Sequence, residues 1–311
     1  YIRLFSLIRH SLIFIFTYSP SLQAKIFERS FVAWGTNLDF IVVSNKEEEF
    51  INRAINDSVK KVSELSSIFN NYDPKSEVSL FNKSKKNIEF KMSEHFAELL
   101  NLSIKYNKLS GGYFDITIGN VSSEFNYEQS DKTLSNLDIK KRIKDCSGFD
   151  KLVLTKINGN KITKSADCLM LDFGGIAEGY ALNLILKIFQ SYEIKNVLIN
   201  FGGNISTLSS TKDWFIEIED LGQQKKILLN NKSISTSSKK SKKINIGKKN
   251  ISHIYNFKEK VFVGYEDTTL SVVSKDPIFC DAFSTSLIAM PMVERNAFIK
   301  NKKIEIFISG N

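Results

Sequence analysis

Hydrophobic residues along the chain recur with two different periods. In the stretch S-F-V-A-W-G-T-N-L-D-F-I-V-V (30–43), apolar and polar positions alternate around a glycine, which predicts a strand, a turn and a second strand. From Lys46 to Phe69 the spacing lengthens: Phe50, Ala54, Ile55, Val59, Val62, Leu65 and Phe69 fall on one helix face. Asn70-Asn71-Tyr72-Asp73-Pro74 stops that helix and opens a loop. Phe96, Leu99, Leu100 and Ile104 predict another helix over Ser93–Leu109, with Ser93 as its N-cap. Gly111-Gly112 then turns the chain and throws Tyr113, Phe114 and Asp115 together. Asp131–Asp150 is polar and basic and reads as a surface excursion. Lys151–Lys164 reads as a hairpin turning at Asn158-Gly159-Asn160.

The second half is organised around Leu171–Tyr180 (L-D-F-G-G-I-A-E-G-Y). Cys168-Leu169-Met170-Leu171 reads as the end of a buried strand. A helical face begins directly after Gly174-Gly175, with Ile176, Tyr180, Leu184 and Ile188 four residues apart. Two readings stay open here. A strand passing through two glycines into a helix lets the backbone cradle a phosphate. A tight strand–helix turn in which glycine supplies φ > 0 accounts for the same letters. Tyr180-Ala181 stands where a P-loop requires Lys-Ser/Thr, and no G-x-G-x-x-G occurs, so neither nucleotide fingerprint is present. Further strands are expected over Asn196–Phe201, which breaks at Gly202-Gly203-Asn204, over Trp214–Glu219, within Lys225–Ser235 and Ser252–Tyr255, and ending at Val272-Val273. A helix is expected over Asp281–Met290. Strands and helices mix without strict alternation and no linker divides them. The expectation is one α+β domain over 25–311.

Composition changes this picture in four places. A formal net charge of +9 favours anionic partners, yet the lysines are scattered and no RNP or zinc-finger pattern occurs, which argues against nucleic acid. Six lysines (Lys239, Lys240, Lys242, Lys243, Lys248 and Lys249) cluster in Ser238–Asn250, either as a solvated hairpin tip or as a basic lid. Cys146, Cys168 and Cys280 are too few and too isolated for a disulfide framework or a zinc site, and read as small buried hydrophobes. Residues 1–24 place Arg3 and Arg9 before the uncharged run Leu12–Tyr18, with Ala24 beyond it. This is the layout of a signal peptide or an N-terminal membrane anchor, without a lipoprotein cysteine.

Candidate chemistry is modest residue by residue. Asp281 and Thr285 lie one helical turn apart, a carboxylate and a hydroxyl suited to Mg²⁺. An Asp at a helix start is also explained by the helix dipole. His253, between Ser252 and Ile254, is equally a base or a half-buried strand histidine.

The order of the segments is more specific. W-G-T (34–36), N-Y-D-P-K-S-E (71–77), G-G-Y-F-D-I-T-I-G (111–119) and L-D-F-G-G-I-A-E-G-Y-A (171–181) come first. L-I-N-F-G-G-N-I (198–205), I-S-T-S (234–237), S-H-I (252–254) and D-A-F-S-T-S-L (281–287) follow. This succession resembles the ApbE family, the FAD:protein FMN transferases once described as thiamine-biosynthesis lipoproteins, over roughly residues 30–290. The resemblance implies a transferase that binds FAD with Mg²⁺, moves its FMN half onto a threonine of an acceptor protein and releases AMP. Some relatives hydrolyse FAD to FMN and AMP, and an inert exported flavin binder is a third reading. Acceptors of the family are redox-pump subunits or flavin-carrier domains, which implies a periplasmic or inner-membrane-associated protein.

Carried over by resemblance, Gly174 and Gly175 approach the pyrophosphate, while the Ala177 carbonyl, Asp281 and Thr285 hold the metal. His253 is the general base. Asn71, Tyr72 and Asp73 form the loop against the flavin, and Trp34, Asp115 and Glu178 are further FAD contacts. Several positions depart from the family pattern: Trp34 stands for the usual Met, Glu178 for a frequent Lys, Ser238 for Gly, Asn256-Phe257 for Asp-Pro, and Cys280 for Ala.

Overall fold

The computed structural model describes residues 24–122, 136–155, 160–241, 243–246 and 249–310. The signal or anchor segment (apart from Ala24) and the Asn158-Gly159 turn therefore lie outside the described residues. Among the described residues no helix is long and apolar enough to cross a membrane.

The alternating stretch at the N-terminus folds as expected. β1 (Lys25–Ala33) and β2 (Thr36–Ser44) pair antiparallel around Trp34-Gly35, both at positive φ, the geometry of a two-residue hairpin turn. α1 (Glu48–Phe69) buries Ile51, Ala54, Ile55, Val62 and Leu65. The loop after it is short, because Ser76 caps α2 (Glu77–Lys83), accepting from the Ser79 N–H. β3 (Phe90–Lys91) leads into α3 (Glu94–Leu109), whose N-cap is Ser93, accepting from Phe96. After the glycine turn come α4 (Gly119–Ser122) and α5 (Asn136–Cys146), so the surface excursion contains a helix with Ile143 and Cys146 buried. β4 (Leu152–Thr155) and β5 (Lys161–Lys164) form the expected antiparallel pair, with β3 beside β5.

α6 (Ala177–Ser191) buries Tyr180, Ala181, Ile185 and Phe189; Ile176 is buried at its N-cap, whereas Leu184 and Ile188 are only half-buried. The buried stripe is thus rotated from the four-residue ladder, as a 3.6-residue period requires. β6 (Val197–Phe201) and β7 (Asn204–Leu208) are joined by Gly202-Gly203 at positive φ. β8 (Phe215–Asp220) and β9 (Gln223–Leu228) form a separate hairpin. β10 (Ser233–Ser238), β11 (Lys243–Ile246), β12 (Lys249–Asn256), β13 (Val261–Gly264) and β14 (Thr269–Ser274) follow, then α7 (Pro277–Ala289), α8 (Met292–Lys302) and β15 (Glu305–Ser309).

The centre is a seven-stranded antiparallel sheet in the order β1-β2-β6-β7-β10-β14-β15. Alternation along the strands builds two apolar layers. Leu38, Phe40, Val42, Val197, Ile199, Phe201, Leu270 and Val272 face the helices, packing with α1, α6 and α7. Leu198, Ile205, Ile234 and Val273 face the other way and are covered by Trp214, Ile216 and Ile218. The fold is one α+β domain. Strands β11, β12 and β13 form a small sheet outside the main one.

Two expectations fail. Cys168–Leu171 is not a strand: Met170 makes an isolated parallel bridge to Ile118, and side chains replace a neighbouring strand along the rest. Asn82 accepts from the Leu171 N–H (2.7 Å) and donates to its carbonyl (2.9 Å), while Lys164 donates to the Leu169 carbonyl (2.9 Å). Cys146 and Cys168 are bonded as a disulfide, and only Cys280 behaves as a small buried hydrophobe. The pairing is set by tertiary contact: the segments flanking each cysteine both hydrogen-bond to residues 116–119. Gly148 N–H donates to Thr117 Oγ1 on one side; Asp172 N–H donates to the Ile116 carbonyl and Gly119 N–H to the Met170 carbonyl on the other.

Candidate active site

The site is built where the start of α6 meets α7. A side-chain carbon on Gly179 would lie 2.5 Å from the Pro277 carbonyl oxygen and 2.7 Å from Asp281 Cβ. Glycine is therefore required by close helix–helix approach, and that approach lets the Gly179 N–H donate to Asp281 Oδ2 at 2.8 Å. One turn along α7, Thr285 Oγ1 lies 3.4 Å from where Gly175 would carry a side chain. Ala177, the first residue of α6, sits between them in sequence and is buried. Gly175, Gly179, Asp281 and Thr285 are thus brought to one seam, with Ala177 between the two glycines and Gly174 next to them in the chain.

The dipole explanation of Asp281 does not hold. α7 begins at Pro277, capped by Asp276, which accepts from the Ile278 and Phe279 N–H groups, so Asp281 lies in the second turn. It is only 6% exposed. Burial pushes its carboxyl well above the usual range, opposed by its hydrogen bonds from Gly179 N–H and the Asn204 side chain. Among the described residues no cation pairs with it. The glycine pair also differs from its simpler reading: neither Gly174 nor Gly175 takes positive φ. The turn is held instead by Asp172, whose Oδ1 accepts from Gly174 N–H (2.9 Å) and Oδ2 from Ser122 Oγ (2.6 Å).

The flanking candidates arrange around this seam. Glu178 reaches back over the β6–β7 turn: its Oε2 accepts from Asn204 Nδ2 at 2.7 Å and lies 2.9 Å from the position of a Gly202 side chain. Gly202 has φ +62, so glycine is needed there on both counts. Trp34, at the β1–β2 turn, packs on Phe201 with ring centroids 5.1 Å apart and donates to the Val62 carbonyl. Asn71, Tyr72 and Asp73 form the turn between α1 and α2; Asn71 Oδ1 is 3.4 Å from Asn82 Nδ2, Asp73 Oδ1 accepts from Lys75 N–H, and Tyr72 is 70% exposed. Partial desolvation and the Asp172 carboxylate both raise the Tyr72 pKa. Asp115 Oδ1 accepts from the Thr117 N–H and hydroxyl, and burial pushes its carboxyl up to about 6. Its partners face the 148–151 turn, while Phe114 beside it lies 3.6 Å from the Gly175 position.

His253 lies on β12, half-buried, with Ser241 Oγ 3.5 Å from Nε2 and Ser252 Oγ 3.5 Å from Nδ1. The described contacts connect it to the seam in steps. Ser241 follows the Ser238 turn, and Ser237 Oγ is 3.1 Å from Thr285 Oγ1. Two of the clustered lysines are paired, Lys239 with Glu266 and Lys240 with Asp267, both at 2.7 Å, and Lys243 stacks over Tyr265. Lys242 and Lys248 lie outside the described residues.

The sequence model of the ApbE family matches residues 34–308. The chain belongs to the ApbE family. Among curated ApbE-family relatives, a protein of Buchnera aphidicola subsp. Schizaphis graminum named FAD:protein FMN transferase is 26% identical over 241 residues, covering 74% of this chain and 71% of its own length. One of the same name from Chlamydia muridarum is 28% identical over 229 residues, covering 72% of this chain and 71% of the relative. The apo flavinyl transferase ApbE of Pseudomonas stutzeri has the same fold, with TM-score 0.83 at 20% identity over 93% of this chain and 92% of that one. The flavin transferase ApbE of Vibrio cholerae gives TM-score 0.78 at 19% identity, over 91% and 93% of the two chains.

Four side chains of this ApbE-family site escaped the sequence reading. Asn82 and Lys164 clamp the strap leading to Gly174; Lys164 is 1% exposed, donates to the Asn82 and Leu169 carbonyls, and burial lowers its pKa to about 8. Asn204 donates to Glu178, and Ser237 touches Thr285. Asn204 and Ser237 were signposted by their motifs. A lysine and an asparagine in polar sequence carried no such signal.

Proposed function

We propose that this chain moves the FMN half of FAD onto a hydroxyl of an acceptor protein and releases AMP. The observation that carries the reading is the α6–α7 seam: a buried carboxylate and a hydroxyl one turn apart on α7, facing a glycine-opened helix start. The names of the curated relatives supply the substrate class. The acceptor hydroxyl, a threonine by family resemblance, attacks the phosphorus of the FMN half. One P–O bond forms, the pyrophosphate P–O bond breaks, and AMP leaves with the departing oxygen. His253 accepts the hydroxyl proton at a ring nitrogen, a role suited to an imidazole near neutral pH. The exposed Tyr72 offers an aromatic face to the flavin, with Asn71, Asp73, Trp34 and Asp115 as further contacts.

The residues present fit Mg²⁺. The donor set is all oxygen: the Ala177 carbonyl, the Asp281 carboxylate and the Thr285 hydroxyl. Among the described residues no group of three or more His, Cys, Asp or Glu side chains forms an alternative centre. Bound there, the ion would neutralise charge on the phosphate oxygens. Asp281, already desolvated and oriented by the Gly179 N–H, is the residue that would gain most from a cation.

An exported location, periplasmic or facing the periplasm at the inner membrane, is part of the proposal. The signal-like segment 1–24 supports it. So does the Cys146–Cys168 disulfide, because such bonds persist in oxidising compartments.

The test is to incubate the protein with FAD and Mg²⁺, with and without a threonine-bearing acceptor domain, following AMP and acceptor mass. AMP together with one FMN added to the acceptor is the expected result. AMP in both tubes with no mass gain points to a pyrophosphatase. Bound FAD without AMP in either tube leaves an inert flavin binder.

A further inference from the structure

Three hydroxyls form a chain between β10 and α7. Ser237 Oγ, on β10, lies 2.9 Å from Ser284 Oγ and 3.1 Å from Thr285 Oγ1, both on α7. Ser284 Oγ in turn donates to the Asp281 backbone carbonyl at 2.9 Å. Ser237 is paired with the buried Leu270 in the register of β10 with β14, which puts its side chain on the helix-facing side of the main sheet. α7 is tied to the same strand by Cys280 Sγ, which donates to the Ser233 carbonyl at 3.3 Å.

The sense of the chain follows from its hydrogens. A hydroxyl has one hydrogen to donate and two lone pairs with which to accept. A carbonyl has no hydrogen, so the link to Asp281 uses the one on Ser284. Ser284 therefore accepts from Ser237, and Ser237 is left as an acceptor for Thr285. Among the described residues no other hydrogen bond reaches the Thr285 hydroxyl. Its hydrogen thus points at β10, and its lone pairs point away.

We propose that Ser237 is a positioning residue: it accepts the Thr285 hydroxyl hydrogen and so leaves the Thr285 lone pairs directed at a bound cation. A hydroxyl that ligates a cation gives it a lone pair, and its hydrogen needs an acceptor elsewhere. The chain supplies that acceptor in advance and closes on the backbone of Asp281, one turn before Thr285 on the same helix. The reverse sense, with Ser237 donating to Thr285, would aim a hydrogen along one of those lone pairs and oppose binding. The inference rests on the metal reading proposed above.

The experiment measures binding of Mn²⁺ alone, by its EPR signal, to the full chain and to variants. Near-UV circular dichroism checks that each variant is folded. Ser237→Ala is expected to weaken Mn²⁺ about 10-fold, the low end of the usual effect of removing an outer partner of a metal ligand. Thr285→Val, which removes the ligand itself, is expected to weaken it at least as much. The double variant is expected to bind no more weakly than Thr285→Val, because Ser237 acts only through that hydroxyl. Should Ser237→Ala fail to fold, Ser237→Cys, whose sulfur is a weak acceptor, carries the same test. Equal Mn²⁺ affinity in Ser237→Ala and wild type overturns the proposal, and tighter binding does so by revealing the reverse sense. Fully additive losses in the double variant also overturn it, since Ser237 would then act on packing rather than on Thr285. In each of these cases a weakened Thr285→Val leaves the metal reading standing. Wild type that does not bind Mn²⁺, or Thr285→Val that binds it as well as wild type, overturns the metal reading and this proposal with it.

Discussion

The seam between α6 and α7 and the rim that carries His253 are constructed on opposite terms. In the seam, Gly179 brings backbone against the neighbouring helix, Gly175 faces Thr285, and Asp281 is buried. On the rim, β12 belongs to a small outer sheet, and the loop beside it is tied by solvent-facing ion pairs from Lys239 and Lys240 to Glu266 and Asp267. A close-packed seam has one arrangement, since a methyl group added at Gly179 meets the Pro277 backbone. A half-exposed rim can admit a macromolecular acceptor and still present an imidazole. On the function proposed above, substrate and metal placement would fall to the seam and access to the rim.

The sharpest way to break the comparison is Asp281→Ala. It is expected to abolish Mg²⁺-dependent FAD turnover, because one hard ligand and its charge are lost; AMP release that still responds to Mg²⁺ would contradict the seam assignment. His253→Ala comes next. Transfer is expected to slow by about 10²–10⁴-fold while FAD affinity, read by flavin fluorescence, is retained. Parallel loss of both would make His253 a binding residue and erase the division between seam and rim.

Gly179→Ala acts on stability. The new methyl group has to displace the Pro277 carbonyl and Asp281 Cβ, at a cost of about 1–3 kcal/mol in urea unfolding. An unchanged midpoint would show that the helices separate freely. Lys164→Met tests the strap behind the seam through pH. The folded-state pKa of Lys164 is lowered to about 8 from 10.5, so between these values the unfolded chain binds more protons and wild-type stability rises with pH. The wild type should therefore gain about 2 kcal/mol on Lys164→Met between pH 7 and pH 10; a pH-independent difference refutes the buried charge. The smallest effect is expected from Glu266→Gln with Asp267→Asn. Exposed ion pairs contribute under about 1 kcal/mol, so unfolding should hardly move, and any change should appear in transfer rate rather than in FAD affinity.

How far the sequence could be read follows from the range of the interactions. α1 and α3 were legible because their apolar spacing is local, and the β1–β2 hairpin because alternation breaks at Trp34-Gly35. Asp281 and Thr285 were legible as a pair because a helix fixes residues four apart on one face. The start of α7 was missed: the helix was expected from Asp281, although Asp276-Pro277, an N-cap followed by a proline suited to the first turn, marks it one turn earlier. The disulfide was not legible. Its cysteines lie 22 residues apart with no repeating spacing, and only the shared contacts of residues 116–119 bring them together. Lys164 was hidden for a similar reason: in a stretch of lysines nothing marks the one whose ammonium replaces a missing strand.

The junction of β2 with β6 has a consequence for how the chain reaches its native state. Leu38 pairs with Phe201 and Val42 with Val197, so the middle of the sheet closes only after most of the polypeptide is available. The β1–β2 hairpin forms early from neighbours in sequence, and then waits with an unpaired edge through the whole of α1 to α6. Contacts of such large separation make folding slow, and the waiting edge is open to pairing with another copy of the same hairpin. A chain delivered N-terminus first therefore passes through a stage in which its most adhesive strand is complete and its proper neighbour has not yet arrived.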